Sequence, residues 1–233
     1  MLGIVCGLES EAAIARRMAG SCVAISAARA DAAAGEARWL AAQGAAVLLS
    51  FGLAGGLDPD LAAGSVVIGD RVCAMDGSLS CNHEFIKFLQ YKIPAASVGP
   101  IWAAESAVKS AQEKLALFRR TGCLCTDMES RAVALTAAEA GIPFAVLRAV
   151  ADTAVTDLPP AALAPLRRDG KADLRRVLPA VIRAPGQIPA LFRLGLYAYL
   201  ALGALRRAAG AISPEEFQEN FGKDSGLRPD NLR

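Results

Sequence analysis

The sequence predicts a single α/β domain: a mixed, mostly parallel sheet flanked by helices, with a helical extension at the C-terminal end. Through the first two thirds of the chain, short apolar runs alternate with segments of helical periodicity, the pattern of strands joined by crossover helices. The 233 residues are enough to bury one sizeable core; 54% of them are hydrophobic, mainly Ala, Leu and Val, which excludes a disordered chain. After Asp157 the pattern changes to Pro and Arg mixed into helical pieces. The expected division is a core over residues 1–157, a helical extension of the same domain over 158–219, and a polar, disordered tail over 220–233.

The opening "MLGIVCGLESEAAIARRMAG" lacks the basic start and long apolar centre of a secretion signal, and reads as a strand, Leu2–Cys6, entering a helix, Ser10–Ala19. Strand Cys22–Ser26 and helix Ala32–Gln43 follow, then strand Ala46–Phe51, which runs into a glycine-rich turn. Strand Ser65–Ala74, helix Cys81–Leu89, strand Ala95–Ile101 and helix Ala107–Phe118 continue the alternation. Helix Glu129–Ala140 buries its Ala, Val and Leu face and is stopped by Gly141-Ile142-Pro143, after which Phe144–Val150 is the last core strand. In the extension, "LFRLGLYAYLALGALRRAAGAI" (Leu191–Ile212) approaches the ~18 uninterrupted apolar residues of a membrane span without reaching them.

A net charge of +2 gives no reason to expect nucleic acid as a partner. The six cysteines (Cys6, Cys22, Cys73, Cys81, Cys123, Cys125) sit singly in apolar or turn segments with one His in the whole chain, so reduced, buried thiols are expected and no metal site.

Four stretches carry residues with chemistry. "GLESEA" (Gly7–Ala12) places Glu9 and Glu11 at a helix start, where carboxylates also serve simply as caps. "SFGLAGGLDP" (Ser50–Pro59) has Gly52, Gly55 and Gly56 after an apolar strand, either an ordinary tight turn or a place for a ligand to approach the backbone. It is not a dinucleotide fingerprint, since the GxGxxG spacing is absent. "TDMESRA" (Thr126–Ala132) again puts Asp127 and Glu129 at a helix start, with Met128 between them, and capping again suffices for the stretch alone. Capping does not explain Arg148 and Asp152 at the end of the next strand, because in an open α/β sheet the carboxyl ends of strands are where ligands sit.

In this order, "GIVCGLESEA", "SFGLAGGLDP", "DMES" and "FAVLRAVADTA" resemble the nucleoside phosphorylase and nucleosidase superfamily, over about residues 2–155. Within it, "FGLAGGLDP", "DMES" and the Arg- and Ala-rich C-terminal extension are most similar to the hopanoid-associated phosphorylases. The resemblance implies cleavage of the N-glycosidic bond of a purine nucleoside, with release of adenine from adenosylhopane in hopanoid biosynthesis. Alternatives are a hydrolase acting on methylthioadenosine or S-adenosylhomocysteine, and a nucleoside-binding protein without activity. It also implies roles: Glu129 holds the ribose hydroxyls, Met128 packs beneath the sugar, and Asp152 protonates or hydrogen-bonds purine N7. Gly55 and Gly56 would line the nucleoside site.

The nucleophile stays open. Phosphorolytic relatives carry Arg where this chain has Glu11, Arg where it has Ser50, and Ser where it has Leu53. Hydrolytic relatives carry a Glu at the Glu11 position, to activate water, and an Arg at the Arg148 position, but Ser in place of Leu53. Arg29 remains as a candidate phosphate contact. Glu11, Arg148 and Asp152 are thus the candidate catalytic residues, with no metal or organic cofactor and with phosphate as an optional co-substrate. Leu191–Ile212 reads either as a helix packed on the domain or as an amphipathic helix at a membrane surface. The second alternative suits a lipid-linked substrate and a cytoplasmic protein at the inner face of the membrane. The family resemblance further implies a homo-oligomer.

Overall fold

The computed structural model describes residues 1–18, 20–163, 167, 169–171 and 173–221. Its core runs β1 (Leu2–Cys6), α1 (Glu9–Ala15), β2 (Ser21–Ile25), α2 (Ala30–Ala42), β3 (Val47–Gly56), β4 (Val66–Ala74), β5 (Gly77–Ser80) and α3 (His83–Lys92). It continues β6 (Ser97–Ala103), α4 (Ala111–Thr121), β7 (Cys125–Asp127), α5 (Ser130–Ala140) and β8 (Phe144–Asp152). The extension holds α6 (Leu174–Arg183), α7 (Ile188–Gly210) and α8 (Pro214–Phe221), with 3₁₀ turns at Pro160–Leu163 and Pro185–Gln187. The single α/β fold with a mixed sheet, flanking helices and C-terminal helices is the one expected.

The strands lie in the order β2-β1-β3-β7-β6-β4-β5, and β8 pairs with both β3 and β4. The pairings β3–β7–β6–β4–β8–β3 therefore close a circuit, with β1 and β2 added beyond β3 and β5 beyond β4. Parallel pairing joins β1 to β2 and β3, β3 to β8, and β6 to β4 and β7; antiparallel pairing joins β3 to β7 and β4 to β5 and β8. All five residues of β1 and all nine of β8 are buried, which is why both read as near-continuous apolar runs. The exceptions in β8 are Arg148 and Asp152.

The helices cover the sheet: α2 packs with α5, α1 with α7, and α7 against β8. Helix α5 ends where expected, at Gly141, whose φ of 66° is the left-handed conformation that glycine adopts freely. Several boundaries depart from expectation, four of them in β3, β8, α4 and α1. Strand β3 runs on through the glycine-rich turn to Gly56, and β8 on to Asp152. Helix α4 starts at Ala111, where Ser110 and Glu113 form a capping box, so residues 107–110 are not helical. Helix α1 ends at Ala15, and the last residue of its expected range, 19, lies outside the described residues.

Helix α7 is divided along its length. Ala201, Ala204, Leu205, Ala208 and Ala209 are buried, whereas Ile188, Phe192, Leu196, Tyr199 and Leu200 are exposed. The C-terminal half is thus the packed helix of the two alternatives for Leu191–Ile212, and the apolar surface belongs to the N-terminal half. Helix α8 is held by an aromatic cluster in which Phe217 and Phe221 lie 5.8 and 4.9 Å from Phe85 of α3. The expected polar tail lies outside the described residues from 222 onward.

Candidate active site

A cavity of about 720 Å³ opens at the C-terminal ends of β1, β2, β3, β6, β7 and β8. Its wall includes Glu11, Leu53, Gly55, Thr126, Met128, Glu129 and Asp152, together with Arg29, Lys109 and the extension residues Leu158, Ala162 and Leu163. Three separated segments of sequence thus place their carboxylates, one of them with Met128, around one space, as strand ends in such sheets do.

Glu11 is the third residue of α1 and reaches back over the helix start. Its Oε2 accepts the N–H groups of Gly7 at 2.9 Å and Leu8 at 2.8 Å, and its Oε1 accepts that of Leu53 at 2.8 Å. A carboxylate has about four acceptor positions. Three are filled by backbone, so the side chain caps the helix start, is fixed in place and has one acceptor position left. Burial raises the Glu11 pKa, opposed by the Leu53 N–H and by Arg148.

Beneath the cavity lies Arg148, 1% exposed and absent from the cavity wall. Its Nη2 reaches Asp127 Oδ2 and Ser50 Oγ, both at 2.6 Å, Ser130 Oγ at 3.2 Å and Glu129 Oε2 at 3.4 Å. Burial works against the charge of Arg148, and the carboxylates of Asp127, Glu129 and Glu11 more than offset it. Ser50, 0% exposed, is consumed in this network and cannot face a ligand. Arg148 therefore lies behind Glu129 and favours its charged form, and makes no wall of its own. Burial, opposed by Arg148 and reinforced by Asp127 and Glu11, pushes the Glu129 carboxyl up to about 7.

Asp152 is placed by an irregularity in β3–β8 pairing. Ala54 pairs with Val150 but Gly55 with Asp152, so Ala151 is passed over and the Asp152 side chain turns to the cavity. Its partner is Lys114 of α4, 0% exposed, whose ammonium donates to Asp152 Oδ2 and to the carbonyls of Thr153 at 3.1 Å and Thr156 at 2.8 Å. Burial raises the Asp152 pKa and Lys114 opposes the rise.

The glycines divide by role. A Cβ on Gly55 would stand 3.3 Å from Asp152 Oδ2, on the cavity wall. Gly56 is off the wall and packs against Val150 and the Asp152 carbonyl. Gly52 makes the closest approach, since a Cβ there would lie 2.7 Å from both Arg148 Nη1 and Glu11 Oε2. Lys114 and Asp127 were not among the expected site residues. The sequence offers only partial signals for them: Lys114 stands one turn before Leu117 on the face that α4 buries, and an arginine in an apolar strand needs some acid to neutralise it, but neither signal names the partner.

The Thr126 hydroxyl, buried on the wall, has no hydrogen-bond partner among the described residues. On the opposite side Ala27 and Ala28 have φ of 54° and 55°, a conformation unfavourable to residues with a Cβ, and bring Arg29 to the wall, paired with Asp31. All six cysteines are free thiols. Among the described residues no group of three or more His, Cys, Asp or Glu side chains is placed to hold a metal ion.

No curated protein matches the chain. Among solved structures, the fold is similar to 5′-methylthioadenosine/S-adenosylhomocysteine nucleosidase from Neisseria meningitidis in complex with methylthio-immucillin-A, with a TM-score of 0.70 at 16% identity, covering 90% of this chain and 96% of that one. It is also similar to S-adenosylhomocysteine nucleosidase from Streptococcus pyogenes in complex with 5-methylthiotubericidin (TM-score 0.61, 19% identity, 84% and 95% covered). A third is the futalosine hydrolase of Helicobacter pylori (TM-score 0.64, 14% identity, 91% and 97% covered). The family model of the phosphorylase superfamily matches residues 4–97 and 83–182, a range that contains every wall carboxylate described above. The chain that folds its strand ends around Glu11, Glu129 and Asp152 belongs to the phosphorylase superfamily.

Proposed function

We propose that the protein hydrolyses the N-glycosidic bond of an adenine nucleoside whose 5′ carbon bears an apolar group, and that the substrate is the lipid-linked nucleoside adenosylhopane. The observation that carries the proposal is the convergence on one cavity of a backbone-fixed carboxylate, a Met-Glu pair and a buried acid held by a lysine. Family membership and the similarity of fold to enzymes described as nucleosidases and as a futalosine hydrolase support bond cleavage at a nucleoside.

In this scheme Glu129 accepts the ribose 2′- and 3′-hydroxyls and Met128 packs beneath the sugar. The C1′–N9 bond breaks with its electron pair passing to the purine, while N7 takes the proton of Asp152. The ribosyl carbon becomes oxocarbenium-like beside two carboxylates, which stabilise its charge. A water bound at the remaining acceptor position of Glu11 adds its oxygen to C1′ and gives its proton to Glu11. The preference for water over phosphate follows from the cations: Arg148 is spent on Asp127, Glu129 and two serines below the cavity and presents no charge to a phosphate. A phosphorolytic reaction would have to draw on Arg29 or Lys109 at the wall.

Leu8, Leu53, Val108, Leu158 and Leu163 supply an apolar side to the cavity, suited to the 5′ group. Methylthioadenosine would occupy the same space with a smaller group, and the nucleosidases of similar fold, solved in complex with methylthio-immucillin-A and 5-methylthiotubericidin, favour it as the second substrate to test. Purified protein is to be incubated with adenosylhopane and with methylthioadenosine, each with and without phosphate, and the base and sugar products identified. Adenine with a free sugar in phosphate-free buffer is expected. A sugar 1-phosphate formed only when phosphate is present would replace water as nucleophile, and no adenine from either nucleoside would refute the proposal.

A further inference from the structure

The consecutive helices α6 and α7, joined by the 3₁₀ turn Pro185–Gln187, both leave large apolar side chains in solvent. In α6 these are Leu178 and Ile182, one turn apart and 57% and 77% exposed. In α7 they are Ile188, Phe192, Leu196 and Tyr199, spaced so that one helix face presents all of them, with Phe192 80% and Tyr199 74% exposed. A soluble protein does not ordinarily leave such a stripe unpartnered.

The charge around the stripe identifies its partner. Between Asp173 and Glu215 the chain has no acidic residue and six arginines. Arg175, Arg183 and Arg193 are exposed beside the apolar residues. A second copy docking by the same patch would bring like charges together, because a two-fold contact pairs a surface with itself. An anionic lipid surface satisfies both the apolar stripe and the arginines.

By length and composition Pro185–Gly210 could cross a bilayer. Its C-terminal half is locked against β8, however, and only the run of residues 188–200 lacks a fully buried side chain. At 1.5 Å per residue those span about 20 Å, short of the ~30 Å hydrocarbon thickness. The helix can lie in an interface but not traverse it.

We infer that the exposed faces of α6 and the N-terminal half of α7 dock on an anionic bilayer, and that the cavity opens beside the docked surface. The link to the cavity is direct: Gln187, at the head of α7, accepts the N–H of Ala161 at 2.9 Å, and the adjoining Ala162 and Leu163 are cavity wall. The docked helix therefore sets the position of the cavity rim against the lipid. The use assigned to this surface, delivery of a lipid-linked nucleoside, rests on the function proposed above; the docking does not.

The test is co-sedimentation of the full chain with vesicles of phosphatidylcholine mixed with phosphatidylglycerol, and with vesicles of phosphatidylcholine alone, in the absence of nucleoside. Binding is expected to be stronger on the mixed vesicles and to weaken as salt is raised. The double variant Phe192→Ser/Tyr199→Ser is expected to lose about a hundredfold in partitioning while its melting temperature is unchanged, since each buried aromatic contributes roughly tenfold or more. Absence of wild-type binding to either vesicle overturns the inference, as does undiminished binding by the variant. A variant that converts a dimer to a monomer in sedimentation, with no vesicle binding by the wild type, gives the surface to a second copy instead. Vesicle binding together with release of adenine from soluble nucleosides alone upholds the docking and refutes the lipid substrate.

Discussion

At the scale of single residues, the site is built from charges that hold one another in awkward protonation states. Asp152 is the acid proposed for N7, and Asp152→Asn is expected to lower kcat by a hundredfold or more while nucleoside binding, measured by calorimetry, persists. Full activity in that variant would remove Asp152 from the role. Lys114 opposes the rise in the Asp152 pKa that burial causes, so Lys114→Met should raise it further. An acid that works when protonated is lost as pH rises through its pKa. The high-pH limb of kcat/KM is therefore expected at higher pH in Lys114→Met, whereas a lysine that only filled space would leave the limb in place. The variant also breaks a buried ion pair, at about 3–5 kcal/mol. Glu11, Glu129 and Asp152 were legible in sequence because each follows a strand end in a recognisable string. Lys114 and Asp127 were not, because their meaning lies in partners 38 and 21 positions away, Asp152 and Arg148.

Among the elements, β3 carries the most consequence per residue. Its glycines looked like a turn, yet β3 remains a strand through all three and the need for glycine differs at each. Gly52→Ala would drive a methyl to 2.7 Å from the Arg148 guanidinium and the Glu11 carboxylate. A stability loss of about 3 kcal/mol is expected from such overpacking, read as a fall in melting temperature of about 6–12 °C for a chain of this size, together with loss of activity. Gly55→Ala meets Asp152 at 3.3 Å and should cost activity more than stability. Six of the strands were legible from their apolar runs. β5 was not, being an edge strand whose residues are mostly exposed, and β7 was not, being three residues long and defined by its neighbours. The extension appeared in sequence only as Pro- and Arg-bearing helical pieces, because the division of α7 depends on which half meets β8.

For the whole molecule, three buried carboxyls, Glu11, Glu129 and Asp152, are all raised by burial. Glu129 is held at about 7 against an ordinary 4.5, so between those values the folded chain binds a proton that the unfolded chain has released. Stability is then greatest near the lower value and falls as pH rises through the upper one. The exposed acids with lowered pKa, such as Glu9 and Glu113, act in the opposite sense but below this window. Denaturant unfolding is expected to show a loss on the order of 3 kcal/mol from about pH 5 to pH 8, and Glu129→Gln should flatten that slope and be the more stable protein at the alkaline end. A slope unchanged by the substitution would place the titration elsewhere.

The closed circuit of strands also orders events during synthesis. β3 is finished at Gly56, but the strand that joins it to β4 is completed only at Asp152, 96 residues later. At ribosomal rates that interval is roughly 5–20 s. Once β4 is complete at Ala74 the nascent chain carries, for the rest of that interval, two apolar strand edges waiting for one partner, an arrangement prone to pairing with other chains. A nascent chain of this protein is accordingly most in need of a chaperone before Phe144 emerges, and a truncation upstream of that residue leaves both edges permanently open.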